Sequence, residues 1–210
     1  MKSNLDQIQR RTVGYWFNDG LVDLFVGGIF LLLSLFFFVS GLLQPGFLTA
    51  LTVGIGQPLI ILVGFLVGKK VVPLLKEKYI YPRTGFVAYK DGSKVSRGGR
   101  AVIAMVVGAL TSVAVMLILP SLGEDSIWFI SGIMIAVFIV YLSFRSGLIR
   151  YLILASVAIL CGSIVSVLAV DDSFRSAVFY GLFGLAWLVQ GGVSLAGYFR
   201  KHTLSGEGVE

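Results

Sequence analysis

Six long apolar runs, at residues 21–43, 47–68, 101–119, 127–144, 151–170 and 177–199, constrain this chain more than any other feature of its sequence. Each is close to the roughly 20 residues that an α-helix needs to cross the hydrocarbon core of a bilayer. Inside hydrocarbon no water satisfies the backbone amides and carbonyls, so such runs must satisfy them internally as helices. The expected fold is therefore an all-α integral membrane protein, a bundle of six transmembrane helices. Composition points the same way. Only 13% of the 210 residues are charged, about half the share a soluble domain carries, too little to coat a water-facing surface. Spans and connections use up most of the chain and leave no room for a sizeable soluble domain.

The loops set the orientation. With the N-terminus inside, all but one of the 17 Lys and Arg residues fall on the cytoplasmic side, as the positive-inside rule requires. The exception is Arg175, and the outer loops carry Glu124, Asp125, Asp171 and Asp172. The expected topology is N-in/C-in, with both termini cytoplasmic. It divides the chain into a cytoplasmic or interfacial segment (1–20), helices one and two (21–68), a basic cytoplasmic loop (69–100), helices three to six (101–199) and a cytoplasmic tail (200–210). The first 20 residues are polar and mixed in charge, so no cleavable leader is expected. They offer instead an interfacial helix, with Leu5, Ile8 and Tyr15 on one face. A net charge of +6 does not imply nucleic acid as a partner here, because the basic residues flank apolar spans.

In the basic loop, residues 71–80 are expected to prolong the second helix beyond the membrane. Thr84-Gly85 then ends it, and residues 86–96 are read as a small β-hairpin around Asp91-Gly92, a pair suited to a type I′ turn. A two-stranded hairpin is marginal in water, so it needs the membrane face or a partner. Contact of the loop with anionic lipid headgroups is favoured over a specific docking site.

Spans pack through small residues, because lipid tails give helices no hydrophobic reason to associate. Ala104, Gly108 and Ser112, then Ala158, Gly162 and Ser166, Gly64 with Gly68, and Gly192 with Ala196 form such stripes. They serve packing within one bundle or, alternatively, a homo-oligomer. Two amides lie deep, Gln57 and Gln190, at similar expected depth. Pro58 removes a donor from its helix and leaves a carbonyl for one of them to satisfy. Gln57, Pro58 and Gln190 are thus a candidate midplane site, read first as a kinked, amide-glued junction and second as the substrate-binding break of a small transporter or channel. Asp19 and Asp23 open the first span. Their expected roles are capping, with Asn18 or Asp19 as the cap, and contact with Arg10 or Arg11; the alternative is a proton or cation site.

Enzyme signatures are absent. There is no H-E-x-x-H, G-x-S-x-G or Walker sequence. One cysteine, Cys161, and one histidine, His202 in the tail, exclude an intrachain disulfide, a multi-cysteine metal site and a histidine dyad within the membrane. No catalytic residue, metal or cofactor is expected.

Two segments carry a family likeness. Arg11-Thr12, Tyr15-Trp16 and Asp19-Gly20-Leu21 precede the first span, and Tyr81-Pro82-Arg83-Thr84-Gly85-Phe86-Val87 follows the second. Together they resemble a family of uncharacterised prokaryotic multi-pass membrane proteins. In these, Tyr-Trp and Asp-Gly-Leu lead into span one, and a Tyr-Pro-Arg-x-Gly-Tyr-Val-like stretch follows span two. Phe86 departs from that pattern, where tyrosine is more usual. The resemblance covers about the N-terminal half. It implies a bacterial or archaeal cell-membrane protein and assigns no activity. Both segments lie on the expected cytoplasmic face, so Asp19, Asp23, Tyr81, Pro82 and Arg83 form a candidate motif there, with Arg83 expected near one of the acids. The functional expectation is a non-enzymatic protein whose cytoplasmic face docks a partner or senses the membrane.

Overall fold

The computed structural model describes residues 17–43, 46–84 and 126–201. Its helices are α1 (Leu21–Gly41), α2 (Phe47–Tyr79), the single turn α3 (Tyr81–Thr84), α4 (Ser126–Ser146), α5 (Arg150–Ser166) and α6 (Asp172–Lys201). No strand occurs among the described residues. The long helices pack in the spatial order α2, α1, α6, α5, α4, with α1 on α6 and α4 on α5 as the most extensive interfaces.

Close backbone approach explains both main interfaces. In α1 and α6, Gly27 lies under Leu188, and Gly184 lies under Phe30 and the Gly27 carbonyl. Gly191 faces the Leu24 amide, where a side-chain carbon would stand only 2.7 Å away. The Ser34 hydroxyl adds a hydrogen bond to the Ala177 carbonyl, 2.7 Å. The two helices are antiparallel, since Gly20 meets Gly191 at one end and Gly41 meets Ser173 at the other. In α4 and α5, Gly132 and Gly162 press directly on each other's backbones. A tight reversal joins these two: Gly147, at φ +71°, donates its amide to the Ser143 carbonyl at 2.8 Å. The α2 helix rests on α1 through Gly64 against Ile29 and Gly68 against Phe25. Where the helices converge, Phe183 and Trp187 of α6 pack with Tyr151, Leu154 and Ala158 of α5 and with Ala136 and Ile139 of α4.

Four helical segments are long and apolar enough to cross a membrane: α1, residues Thr49–Tyr79 of α2, α4 and α6. Their outward faces are apolar. On α2, Leu51, Ile55, Leu59, Leu62, Phe65 and Leu66 are all exposed, a continuous surface that soluble monomers do not present to water. This surface fits a protein solvated by lipid.

The six-span bundle is not what the structure shows. Besides the turn α3 there are five described helices, of which four meet the requirements of a span. The expected third span, 101–119, and the hairpin at 86–96 lie outside the described residues, as do residues 1–16 of the interfacial helix expected at 1–17. The fifth run, 151–170, is apolar to its end, but its helix stops at Ser166 after 17 residues. At 1.5 Å per residue that is about 25 Å, short of the ~30 Å core. The physical cause is a tightened turn: the Val167 and Leu168 amides bond to carbonyls only three residues back, and Arg175 Nε takes the Leu168 carbonyl at 2.9 Å. The second helix departs from its apolar run in the other direction. It does not stop at 68 but runs on to Tyr79, 33 residues in all, through Lys69, Lys70 and Pro73, as the reading of residues 71–80 anticipates. Its length is about 50 Å, so it overhangs a bilayer core by several turns.

Candidate functional site

The chain turns into α1 at Gly20, whose φ of +78° is open to glycine and costly for other residues. A side chain there would also strike the Gly191 carbonyl at 2.5 Å. The turn brings Asp19 to the head of the helix, where its Oδ1 accepts the Leu21 amide at 3.0 Å. That satisfies one of the orphan donors of a helix start, although the cap position itself is Gly20 and neither Asn18 nor Asp19. Its Oδ2 meets Lys76 Nζ of α2 at 2.6 Å, and both side chains are almost completely buried. One helical turn on, Asp23 is fully buried, with its Oδ1 accepting the Tyr151 hydroxyl at 2.8 Å and its Oδ2 lying 2.9 Å from Arg150 Nη2. The Arg150 guanidinium also donates to the Phe17 and Asn18 carbonyls and lies over the Tyr151 ring. Two buried ion pairs therefore tie α1 to α2 and to α5 at one end of the bundle.

Both carboxylates have their charges neutralised, and removing one partner of a buried pair leaves an uncompensated ion at a cost of about 3–5 kcal/mol. The cluster acts chemically as a lock. Among the described residues no group of three or more His, Cys, Asp or Glu side chains is arranged to hold a metal.

Lys76 and Arg150 hold the two acids. Arg10 and Arg11 lie outside the described residues, and so does the Arg83 side chain. Tyr81 is half-buried and Pro82 exposed, in α3, directly after the buried Ile80 at the same end of the molecule. Sequence reasoning overlooked a usable signal for Lys76. Gly64, Gly68, Val72 and Lys76 recur every four residues, and the first two already mark the face of α2 that meets α1. Arg150 carried no such mark, because it reads as an ordinary flanking charge.

The midplane residues do not share a site. Gln57 Nε2 donates to the Tyr180 hydroxyl at 3.1 Å, joining α2 to α6. Gln190 lies ten residues farther along α6, roughly 15 Å up its axis. Its Nε2 is buried without a hydrogen-bond partner among the described residues, and Pro58 is exposed. A double-mutant cycle on Gln57→Leu and Tyr180→Phe, read by reversible unfolding in mixed micelles, is expected to give a coupling of about 1 kcal/mol, as for interhelical hydrogen bonds in membranes generally.

A recess of about 210 Å³ opens beside the locked end, lined by Asn18, Arg150, Ser194, Tyr198 and Lys201. Lys69, Lys70 and Lys78 of α2, Arg145 of α4 and Arg200 and Lys201 of α6 are all exposed. No family model, curated protein or solved structure matches this chain.

Proposed function

We propose that the chain is a non-enzymatic, multi-pass protein of a prokaryotic cell membrane whose locked end faces the cytoplasm and reads the anionic surface of the inner leaflet. One observation carries this reading. Asp19 and Asp23 are consumed inside the bundle by Lys76 and Arg150, so among the described residues Glu77 is the exposed acid left to oppose the exposed cations of that end. Antiparallel packing gathers those cations from the ends of α2, α4 and α6 onto one side. Positive charge at the ends of spans marks the cytoplasmic face and attracts anionic headgroups over about a Debye length. The N-terminal likeness to prokaryotic membrane proteins agrees with that location. A transport site built from Gln57 and Gln190 together gains no support from their separation.

Lipid retention tests the proposal. The protein is reconstituted in an equal mixture of phosphatidylglycerol and phosphatidylcholine, extracted gently and analysed by native mass spectrometry. Retained phosphatidylglycerol is expected to exceed phosphatidylcholine severalfold. The combined variant Arg145→Gln, Arg200→Gln, Lys201→Gln should erase most of that preference and leave the fold intact. Equal retention of the two lipids by the parent protein would end the proposal.

A further inference from the structure

A cleft of about 390 Å³ runs between α1 and α4, walled by Val26, Phe30, Ile135, Phe138 and Phe183 and bounded toward the locked end by Asp23, Tyr151 and Trp187. Its size falls within the ~300–1,000 Å³ range of small-molecule sites. Its outer rim, at Met134 and Phe138, is exposed on the lipid side. Trp187 is 5% exposed, and its Nε1–H has no acceptor among the described residues. Buried N–H groups are rarely left without a partner. An apolar cleft bounded by a buried donor with nothing to donate to points to an occupant that supplies an acceptor oxygen. Charge narrows its chemistry. Asp19 with Lys76 and Asp23 with Arg150 are already neutral as pairs, so a buried anionic head would stand uncompensated, at high cost in low dielectric. The acceptor must be neutral. Depth narrows it further: Trp187 packs on Tyr151, in the first turn of α5, near the level where a bilayer passes from hydrocarbon to headgroup.

We propose that this cleft binds one acyl chain of a membrane glycerolipid, whose neutral ester carbonyl accepts the Trp187 Nε1 hydrogen bond. This site is distinct from the exposed cations of the locked end and does not depend on headgroup charge.

Ether-linked lipids, which lack the carbonyl, provide the test. The full chain is reconstituted in zwitterionic phosphatidylcholine, either diester or diether, of matched chain length, and thermal unfolding and tightly retained lipid are measured. The parent is expected to retain diester lipid about fivefold better than diether lipid, the equivalent of one hydrogen bond, and to melt higher in the diester bilayer. Trp187→Phe keeps the ring and removes the donor, so it should bind the two lipids equally. Val26→Phe, which fills the cleft, should lower retention of both. In a Trp16→Phe, Trp128→Phe background, brominated acyl chains should quench Trp187 fluorescence despite its burial, and Val26→Phe should relieve that quenching. A parent protein indifferent to the ester linkage overturns the proposal, as does quenching that Val26→Phe leaves unchanged. Either result would mean that water or the protein itself meets the indole.

Discussion

Replacing Asp23 with alanine is expected to destabilise the protein by about 3–5 kcal/mol, the usual cost of breaking a buried pair from one side. The substitution leaves the Arg150 guanidinium, mostly buried and aimed at a missing carboxylate, and strips the Tyr151 hydroxyl of its acceptor. Reversible unfolding in mixed micelles measures the loss. The pair as a whole is another matter. Replacing a buried ion pair by apolar residues of similar volume is often neutral or stabilising, so Asp23→Leu with Arg150→Met should recover most of the single-variant loss. A loss below about 1 kcal/mol for Asp23→Ala, typical of exposed pairs, would show that water reaches the cluster and that it does not lock the helices.

The second large effect belongs to Gly162. A side-chain carbon there would lie 2.6 Å from the Trp128 carbonyl oxygen, 3.1 Å from the Gly132 Cα and 3.3 Å from the Phe129 Cα. All three are backbone atoms, so no rotamer change relieves the clash and α4 must move away from α5. Gly162→Val is expected to cost at least ~3 kcal/mol, the upper end of ordinary overpacking penalties. Gly192→Ala, where nothing lies within 4 Å, is the matched control and should be neutral or slightly stabilising, since alanine favours helix over glycine. Similar costs at the two positions would refute the close α4–α5 seam.

These glycines also show how much of the fold was legible beforehand. The stripes Gly64 with Gly68 and Ala158 with Gly162 do mark real interfaces. The stripe assigned to α6, Gly192 with Ala196, faces away from α1, and Gly184 and Gly191 make the contact instead. Small residues occupy several faces of α6, so periodicity alone has no way to choose among them. Hydropathy placed the start of α1 and most of α4 within a residue or two, because there the apolar run and the helix coincide. It failed where they part, at Ser166, where a tightened turn ends the helix inside an apolar run; the continuation of α2 past Lys69 through charge was anticipated from residues 71–80. Lys76 was missed even so. A lysine on a helix extension beyond the membrane reads as water-facing, whereas four residues past Val72 it pairs with Asp19 beside α1. Asp19 and Asp23 were recognised as the acids that matter, but their cations come from α2 and α5, and no local pattern announces contacts across such sequence distances.

The pairing of α1 with α6 has a consequence for biogenesis. The glycine seam of α1 finds its partner only on the last of the described helices, over 130 residues downstream. During synthesis α1 and α2 can settle together early, with Phe25 and Ile29 seated on the glycines of α2, while the opposite flank of α1 stays open to lipid. Gly20, Gly27 and the carbonyls around them must wait there until α6 is inserted. A nascent chain stalled before α6 would display that open seam as a marker of incompleteness, available to any membrane chaperone or protease that recognises unpaired small-residue faces.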